Sequence, residues 1–509
     1  MQAQTTMPKL AQTLEIPAPP SADARLPISE SVPATAHESL PLSLFLLAAF
    51  TVLAAVVRIV ATHNDLWLDE IISLRIANSV ATPWQVFSAV HSDNNHYLTT
   101  LYLYFVRDTD SVPVYRYLSV LLGVALVPAG YWLLGRRSRV EAVILAGLLA
   151  CSYPLIHFSS EARGYAGALL GSMLACAALA RWMAERNGTS RSFFLGGVYG
   201  VGLTLAILSH LTACLIGLAL AAGSLMILLE RRGRAKQIAY WIALNFLPAA
   251  VLASLYFVDL RFLSELGGTP MSVLHGLGRL LAIGLGWPAK DNASVWIVWA
   301  PLIGLIAWQL KQERKSGEPL AVLLALIYLV PLICVLLMRP SFFAARYLLV
   351  ILPFLYVPMA MLLARLVHSS SGRMVLAGIL FLFLAGQTYS YARFLQAGRG
   401  QFTAALQYMM THTRSTRIAV SSNQDFRSDM ELSYYGPRVM GNRELIYVAR
   451  GGQAPVQPDW YIVHEEGYEP PGPKAIREPG GPMLYRAEYF GASELSGQAW
   501  TIYRREPGR

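Results

Sequence analysis

Long apolar segments recur along most of the chain, separated by short polar connections. A helix needs about twenty apolar residues to cross a hydrocarbon core of ~30 Å, and segments of about this length predict eleven membrane-spanning helices. They lie near residues 40–61, 116–135, 140–157, 165–183, 192–209, 211–229, 238–257, 294–309, 319–338, 343–363 and 374–392. The shorter stretch from Val273 to Trp287 holds His275, Arg279 and several glycines, which predicts a re-entrant or interfacial helix.

The region before the first apolar segment has a different composition. Residues 1–40 are rich in Pro, Ala, Ser and Thr and show no helical or strand periodicity, so we expect a disordered tail. The apolar segment from Leu40 to Ala61 is too long for a signal peptide and too far from the N-terminus. We therefore expect it to be retained as the first membrane span.

The pattern changes again after Phe394, where the hydropathy falls. An amphipathic helix is predicted over Phe402–His412, followed by short strands near 417–421, 444–448, 460–463 and 500–503. These elements predict a small α/β domain, which we expect to be accessory because it has no Gly-rich phosphate loop or nucleophile elbow. The predicted organisation is a tail over 1–40, a membrane domain over 41–393 and an outer α/β domain over 394–509.

The composition supports this fold class. Of 509 residues, 55% are hydrophobic and only 14% are charged, and the mean hydropathy is +0.43, which excludes an ordinary soluble globular protein. The prediction is an all-α polytopic membrane protein with a small C-terminal α/β domain. The four cysteines all lie in apolar segments without zinc-ligand spacing, so neither a disulfide framework nor a Cys-based metal site is expected.

The distribution of charge predicts an orientation in the membrane. The chain has 41 Lys and Arg against 31 Asp and Glu, a net charge of +10. The basic residues lie in alternate connections between spans, for example 136–139, 231–236 and 311–315. The positive-inside rule then places the N-terminus in the cytoplasm and the C-terminal domain outside. Orientation explains the positive charge, so no nucleic-acid partner is expected.

Polar side chains collect on the predicted outer face, and the first outer loop, over 63–115, contains the sequence Trp67-Leu68-Asp69-Glu70. Two adjacent carboxylates beside the bilayer can supply a general base and a group that positions a substrate or a metal. The alternative is an interfacial helix whose first turn carries acidic residues because the helix dipole favours them there.

A second cluster on this face lies between the third and fourth spans, where Glu161, Arg163 and Tyr165 follow one another closely. An arginine at this point can hold a phosphate with two hydrogen bonds, while Tyr165 donates a third and Glu161 orients the guanidinium. The alternative is a local Glu–Arg ion pair that tightens a helical hairpin and contributes little at a surface.

Two more clusters complete the outer face. Asn95 and His96 precede an apolar stretch, where the alternative is an Asx-rich turn that caps a helix. Arg346 and Tyr347 enter the tenth span, where the alternative is a snorkelling interfacial anchor. A weaker candidate is His210, because a lone histidine in a tight hairpin is more often structural.

The predicted topology places all of these clusters on one side of the membrane. Carboxylates and arginines from different spans can therefore converge at the outer leaflet. A lipid-linked anionic substrate would need a site of this kind, with its tail among the spans and its phosphate against arginine.

These residues resemble motifs of the integral-membrane glycosyltransferases of the GT-C fold, specifically the bacterial group similar to protein O-mannosyltransferases (family 39) and lipid A aminoarabinose transferases. The resemblance covers roughly residues 41–393. Its matching features are Asp69-Glu70, Asn94-Asn95-His96-Tyr97-Leu98, Glu161-Ala162-Arg163-Gly164-Tyr165, and Arg346-Tyr347-Leu348 before Leu352-Pro353. The second of these lacks the two prolines of the commoner His-Pro-Pro-Leu-type string, so it departs from the family's pattern at that loop.

The resemblance implies that a sugar moves from a polyprenyl-phosphate donor to an acceptor on the outer face, with inversion at the sugar carbon. It implies that Asp69 is the catalytic base, that Glu70 assists in positioning, and that Arg163 and Arg346 stabilise the departing phosphate. The other substrate contacts expected from it are Tyr165, Glu161, His96, Asn95 and Tyr347.

The expected partners are the donor lipid, a periplasmic acceptor that is a lipid, a glycan or a protein, and the bilayer of a bacterial inner membrane. No cofactor is expected, although the family is mixed in its use of a divalent metal. One alternative is a polytopic transporter or flippase of a lipid-linked glycan, against which the polar residues cluster at one face rather than at the midplane. A ligase or polymerase acting on diphosphate-linked oligosaccharides is a related enzyme alternative.

Overall fold

A computed structural model of the protein describes residues 40–184, 190–230, 234–263, 273–287, 292–338, 345–450, 457–466, 471–477 and 482–505. The predicted disordered tail, apart from Leu40, lies outside the described residues. The membrane region is helical, with its helices over α1 Leu40–Val60, α2 Leu68–Ser79, α3 Gln85–Ser88, α4 Tyr97–Val106, α5 Val112–Leu134, α6 Arg139–Cys151, α7 Tyr153–Phe158, α8 Tyr165–Ala184, α9 Ser190–Ser209, α10 Ala213–Leu229, α11 Arg234–Val258, α12 Val273–Leu285, α13 Asn292–Lys315, α14 Pro319–Met338, α15 Leu352–Arg365 and α16 Ser370–Ala397.

Eight helical segments of the described chain are long and apolar enough to cross a membrane, so the chain is a multi-pass membrane protein. These segments are Leu40–Val60, Val112–Leu134, Tyr165–Ala184, Ser192–Ser209, Ala235–Phe262, Pro319–Met338, Arg346–His368 and Ser370–His412. Each overlaps a predicted span. The other three predicted spans correspond to α6 with α7, α10 and α13. Helices α6 and α10 are shorter than the eight segments above, and α13 is less apolar. The total of eleven spans therefore stays a prediction.

The predicted span over 140–157 is a broken helix, with α6 ending at Cys151 and α7 beginning at Tyr153. Pro154 has no N–H, so the carbonyl of Ala150 loses its helical donor. Arg58, fully buried on α1, donates from Nη1 to this carbonyl at 3.3 Å. On the other side of the break, the N–H of Tyr153 donates to Oε1 of Gln387 at 2.6 Å. Side chains from α1 and α16 therefore satisfy backbone groups that the break exposes.

Helices α8 and α9 approach each other closely where α8 begins and α9 ends, because small residues face the contact. A Cβ atom added to Gly164 would lie 1.6 Å from the backbone oxygen of Ser209, and one added to Gly167 would lie 2.1 Å from Oγ of the same residue. Since Gly164 directly precedes α8, this contact fixes where α8 begins.

The C-terminal region forms the small α/β domain that the sequence predicts. Its elements are α17 Phe402–His412, β1 Arg417–Ser422, α18 Asp425–Val439, β2 Glu444–Tyr447, β3 Trp460–Glu466, β4 Ala475–Arg477, β5 Met483–Phe490 and β6 Gln498–Arg504. The sheet order is β2-β1-β3-β6-β5-β4. Strand β1 pairs in parallel with β2 and β3, and the remaining pairs are antiparallel. Helix α18 and strands β4 and β5 were not predicted.

This domain packs directly against the first outer loop, which the expectation of an accessory domain did not foresee. Apolar side chains of α2, α17, α18 and the sheet share one hydrophobic core. The hydroxyl of Tyr435 on α18 donates to the carbonyl of Leu66 at 2.7 Å. The N–H of Thr403 on α17 donates to Oδ2 of Asp65 at 2.7 Å. Both contacts hold the chain just before α2, the helix that carries Asp69 and Glu70.

Candidate active site

Asp69 lies in the first turn of α2 and is the meeting point of three segments that are distant in sequence. Its Oδ2 atom is 2.7 Å from Nη1 of Arg163 and accepts a hydrogen bond from Nη2 of Arg346 at 3.2 Å. The exposed fractions of the three side chains are 16% for Asp69, 5% for Arg163 and 23% for Arg346. The site is therefore partly shielded but open, as a site for a substrate must be.

Each arginine reaches Asp69 from a different element. Arg163 lies in the connection between α7 and α8, and Arg346 is the second residue of a 3₁₀ segment over Ala345–Ile351 that leads into α15. Asn94 holds the arrangement together because its Oδ1 accepts from Nη1 of Arg163 while its Nδ2 donates to the carbonyl of Asp69 at 2.9 Å. Residues 339–344, which precede this segment, lie outside the described residues.

An indole ring lies beside both cations. The guanidinium carbon of Arg346 is 5.3 Å from the ring centroid of Trp67, and that of Arg163 is 5.9 Å from it. Such cation–π contacts stabilise an arginine without consuming its hydrogen-bond donors. Trp67 thus supports the two positive charges and leaves their N–H groups available.

Two histidines and a tyrosine form a stack at the edge of the site. The ring centroids of His96 and His210 are 4.6 Å apart, and those of His210 and Tyr165 are 4.5 Å apart. Burial, with the nearby positive charge of Arg163, lowers the pKa of His96 well below its usual value and that of His210 to about 3. Both histidines are therefore neutral at physiological pH, so the positive charge beside Asp69 comes from the arginines.

Several buried polar atoms around Asp69 make no hydrogen bond within the part of the chain that the structure describes. Buried polar groups are nearly always paired, so a group of unpaired ones calls for an explanation. Four of the five are N–H or O–H donors at physiological pH, and the fifth is a ring nitrogen of histidine. They are Trp67 Nε1, Arg163 Nε, Tyr165 Oη, Arg346 Nε and His96 Nε2. A cluster of this kind suits an anionic or hydroxyl-rich ligand.

Glu70 faces away from this site despite its position next to Asp69. Its side chain is fully buried and forms a bidentate ion pair with Arg116, in which Nε donates to Oε1 at 2.7 Å and Nη2 donates to Oε2 at 2.6 Å. Its Oε1 also accepts from the N–H of Ala162 at 2.7 Å. Glu70 therefore ties α2 to the segment that carries Arg163, which is a positioning arrangement without a route to substrate.

Glu161 is also enclosed, and it does not contact Arg163 in the way that the sequence suggested. Its Oε1 accepts from Nε of Arg399 at 3.1 Å and from the hydroxyl of Ser496. Burial opposes its ionisation, but hydrogen bonding to His157 and the charge of Arg399 outweigh that effect and lower the pKa of Glu161. Glu161 is thus an ionised carboxylate held by residues behind the site.

The last two predicted residues lie at the margin. Asn95 is buried and donates from Nδ2 to the carbonyl of Val86 at 2.8 Å, so its amide supports the loop before α4. The ring of Tyr347 is 6.0 Å from the guanidinium carbon of Arg346 and flanks that cation. Of the nine predicted site residues, Asp69, Arg163, Arg346, Tyr165 and His96 come together in one place.

Three residues that sequence reasoning did not assign to the site support it directly, namely Arg116, Arg399 and Asn94. Arg116 begins a predicted span, and a charge at that depth is itself a signal of a specific partner. Arg399 offers a weaker signal, since it stands between two glycines just after the last span. Asn94 belongs to the Asn-Asn-His-Tyr-Leu string, but nothing in the sequence distinguishes it from Asn95.

The donor set at Asp69 does not fit a divalent metal ion. Oδ2 already contacts two guanidinium groups, and their positive charge opposes a cation at the same place. Among the residues that the structure describes, no group of three or more His, Cys, Asp or Glu side chains is arranged to hold a metal.

No protein-family model and no curated protein matches this sequence. Solved structures do match it. ArnT from Cupriavidus metallidurans in the apo state gives a TM-score of 0.52 at 11% identity, covering 91% of this chain and 98% of that one. ArnT bound to undecaprenyl phosphate gives 0.51, with the same identity and coverage. AglB, the oligosaccharyltransferase of Archaeoglobus fulgidus, in complex with an inhibitory peptide and a dolichol-phosphate, gives 0.45 at 12% identity over 80% of this chain.

The two comparisons differ in how much of the other protein they cover. This chain spans 64% of the length of the archaeal oligosaccharyltransferase, whereas it matches ArnT over nearly the full length of both proteins. An identity of 11% relates the folds alone. The chain has the fold of ArnT, and the GT-C fold that its motifs predicted is confirmed.

Proposed function

We propose that the protein is a membrane glycosyltransferase that moves a sugar from a polyprenyl-phosphate donor to an acceptor at the outer face of the membrane. The observation that carries this proposal is the convergence of Asp69, Arg163 and Arg346, surrounded by buried polar atoms without partners. The ArnT structure bound to undecaprenyl phosphate supports it, because a protein of the same fold binds a lipid of the proposed class.

Asp69 would act as the general base. Among the described residues its two cationic contacts both use Oδ2, which leaves Oδ1 to accept the proton of an acceptor hydroxyl. As that proton moves to Asp69, the acceptor oxygen forms a bond to the anomeric carbon of the sugar. The bond between this carbon and the phosphate oxygen breaks on the opposite face, so the configuration at the carbon inverts.

Arg163 and Arg346 would bind the phosphate that departs. Its negative charge increases as the glycosidic bond breaks, and fixed positive charges stabilise that change without further reorganisation. The unpaired Nε atoms of both arginines can donate to phosphate oxygens. Tyr165 and His96 would contact the phosphate or the sugar, while Glu70, Glu161 and Asn95 would act through the positions of other groups.

The proposed location is the inner membrane of a bacterium, with the N-terminus in the cytoplasm and the C-terminal domain in the periplasm. The site supports this orientation because it lies at the bundle end opposite the basic connection that contains Arg136, Arg137 and Arg139. Helix α5 separates the two, with Arg116 near its beginning at the site and Leu134 at its end beside these arginines.

The test compares wild-type protein with Asp69→Asn in detergent or nanodiscs, using radiolabelled polyprenyl-phosphate sugars and membrane extract as the acceptor source. Removing a general base typically costs 10²- to 10⁴-fold in rate, so we expect transfer to fall by about that factor in folded Asp69→Asn. Asp110→Asn, which removes an exposed carboxylate of the same loop, is the matched control and should transfer normally.

Two outcomes would count against the proposal. Equal rates in wild type and Asp69→Asn would remove Asp69 as the base. Wild-type protein that turns over none of the donors would favour a transporter or flippase of the lipid-linked glycan instead.

A further inference from the structure

A buried arginine lies next to the site without reaching it, at the junction between the last membrane helix and the C-terminal domain. Arg399 is fully buried. It stands between Gly398 and Gly400, whose φ values of 62° and 156° are ones that side-chain-bearing residues rarely adopt. The two glycines allow the chain to turn sharply after α16 and to direct Arg399 into the protein.

Arg399 donates several hydrogen bonds to the segment that leads to Arg163. Its Nη2 atom donates to the carbonyl of His157 at 2.7 Å and to Oγ of Ser160 at 2.9 Å, and its Nε donates to Oε1 of Glu161 at 3.1 Å. These three contacts cover residues 157–161, which end two residues before Arg163. An arginine with its donors committed in this way restricts the backbone of the segment.

The same guanidinium also contacts the start of the first outer loop, since Nη1 donates to Oδ1 of Asn64 at 3.0 Å. The backbone of Arg399 is fixed in turn by the C-terminal domain, where its carbonyl accepts from the N–H of Gln498 at 3.0 Å. A Cβ atom on Gly497 would lie only 2.0 Å from that carbonyl oxygen. Strand β6 therefore sets the position of Arg399.

We propose that Arg399 is a positioning residue, through which the C-terminal domain holds Arg163 in place for the phosphate of the donor. This inference rests on the proposed function. Arg399 has no path to substrate, because its whole side chain is enclosed. It acts by fixing residues 157–161 and hence the direction from which Arg163 approaches Asp69.

The experiment measures the binding of undecaprenyl phosphate and the transfer kinetics of Arg399→Met and Arg399→Lys in nanodiscs. Loss of one charge-assisted hydrogen bond from Arg163 to the phosphate would weaken binding about 10- to 100-fold. We expect that loss in folded Arg399→Met, a lower kcat as well, and partial recovery in Arg399→Lys. Arg417→Met is the matched control, since Arg417 forms an exposed pair with Glu444 and should bind and turn over as wild type does.

A double variant separates positioning from general stability. If Arg399 acts through Arg163, then Arg163→Lys with Arg399→Met should bind no more weakly than Arg163→Lys alone, because coupled residues are not additive. Additive losses, or wild-type binding and kinetics in folded Arg399→Met, would overturn the proposal.

Arg399→Met leaves the Glu161 carboxylate buried without its cation, which destabilises proteins strongly. Arg399→Met with Glu161→Gln removes both charges and provides a second variant.

Hydrogen exchange of residues 157–165 gives a readout that does not depend on the reaction. We expect faster exchange there in Arg399→Met than in wild type or Arg417→Met, and unchanged exchange would contradict the positioning role. If wild-type protein bound no undecaprenyl phosphate, the proposed function would fail, while the exchange data would still decide whether Arg399 holds this segment.

Discussion

Asp69 and Glu70 are neighbours in sequence and perform different tasks because successive residues of a helix point about 100° apart. Asp69 faces the arginines and keeps 16% of its side chain exposed, whereas Glu70 faces Arg116 and is fully buried. A buried ion pair contributes little net stability, but removal of one partner leaves an uncompensated charge. The family resemblance already distinguished the two residues, with Asp69 as the base and Glu70 as an aid to positioning, and the structure adds that Glu70 contacts Arg116 and Ala162.

The stacked histidines make stability depend on pH. The folded protein lowers the pKa of His96 well below its usual value, whereas in the unfolded chain His titrates near 6.5. Between these values the unfolded state binds more protons than the folded state. The contribution of neutral His96 to the free energy of unfolding is therefore fully present above about pH 6.5 and decreases as the pH falls below it. We expect the apparent Tm in detergent to decrease from pH 7.5 to pH 5, and to decrease less in His96→Gln.

Exposed His412 provides the comparison for this prediction. His412→Gln should keep the wild-type dependence of Tm on pH. Since burial lowers the pKa of His210 in the same direction, some dependence should also remain in His96→Gln. Identical profiles for wild type and His96→Gln would show that His96 does not stay neutral in the folded protein.

At the scale of elements, the broken helix between α6 and α7 shows why local sequence is not sufficient. Pro128, Pro248 and Pro331 lie inside continuous helices, so a proline by itself does not divide a span. At Pro154 the break is accommodated by Arg58 from α1 and Gln387 from α16. The break directs the chain into the segment that carries Arg163, so it contributes to the geometry of the site.

The close contact between α8 and α9 predicts the effect of one methyl group. In Gly164→Ala the new Cβ would overlap the backbone oxygen of Ser209, so the start of α8 must move, and Arg163 and Tyr165 with it. Overpacking of this kind costs about 1–3 kcal/mol or more. We expect a lower apparent Tm and weaker binding of undecaprenyl phosphate.

Gly197 on α9 is the matched control, because a Cβ atom there would meet nothing within 4 Å. Gly197→Ala should keep the Tm and the binding of the wild type. If Gly164→Ala behaved in the same way, the contact between α8 and α9 would be looser than the structure shows.

At the scale of the whole molecule, the site and the basic connection over 136–139 lie at opposite ends of helix α5. Arg137 at the far end of α5 pairs with Glu141 and Glu313, away from Asp69. The positive-inside rule then predicts that the site faces the periplasm. A reporter that is active only outside the cytoplasm should be active when fused after Asp110 and inactive when fused after Arg136.

Fusion of the same reporter at the C-terminus should also be active, because the α/β domain packs on the first outer loop. Reporter activity in the fusion after Arg136 would mean that the orientation is the reverse of the predicted one and that the site lies in the cytoplasm. The shared core of α2, α17 and α18 would then put the C-terminal domain on that side too, so the two fusions test one arrangement.

The sequence by itself determined that the chain is a multi-pass membrane protein with a C-terminal α/β domain, and it supplied the candidate residues Asp69, Arg163 and Arg346. The fold class follows from local composition and periodicity, because the cost of placing a segment in lipid depends mainly on its own side chains, whereas the candidate residues came from short motifs and their shared predicted side of the membrane. The helix over Phe402–His412 has the bounds that its amphipathic pattern predicted.

Only the tertiary structure decided which buried charges become partners. The pairs Glu70–Arg116 and Glu161–Arg399 join segments far apart in sequence, and nothing in either segment specifies the other. Their choice depends on how helices pack, since a buried charge is stable only where the fold brings an opposite charge and hydrogen-bond donors to it. Because of the same packing, the C-terminal domain supports the positions of Asp69 and Arg163.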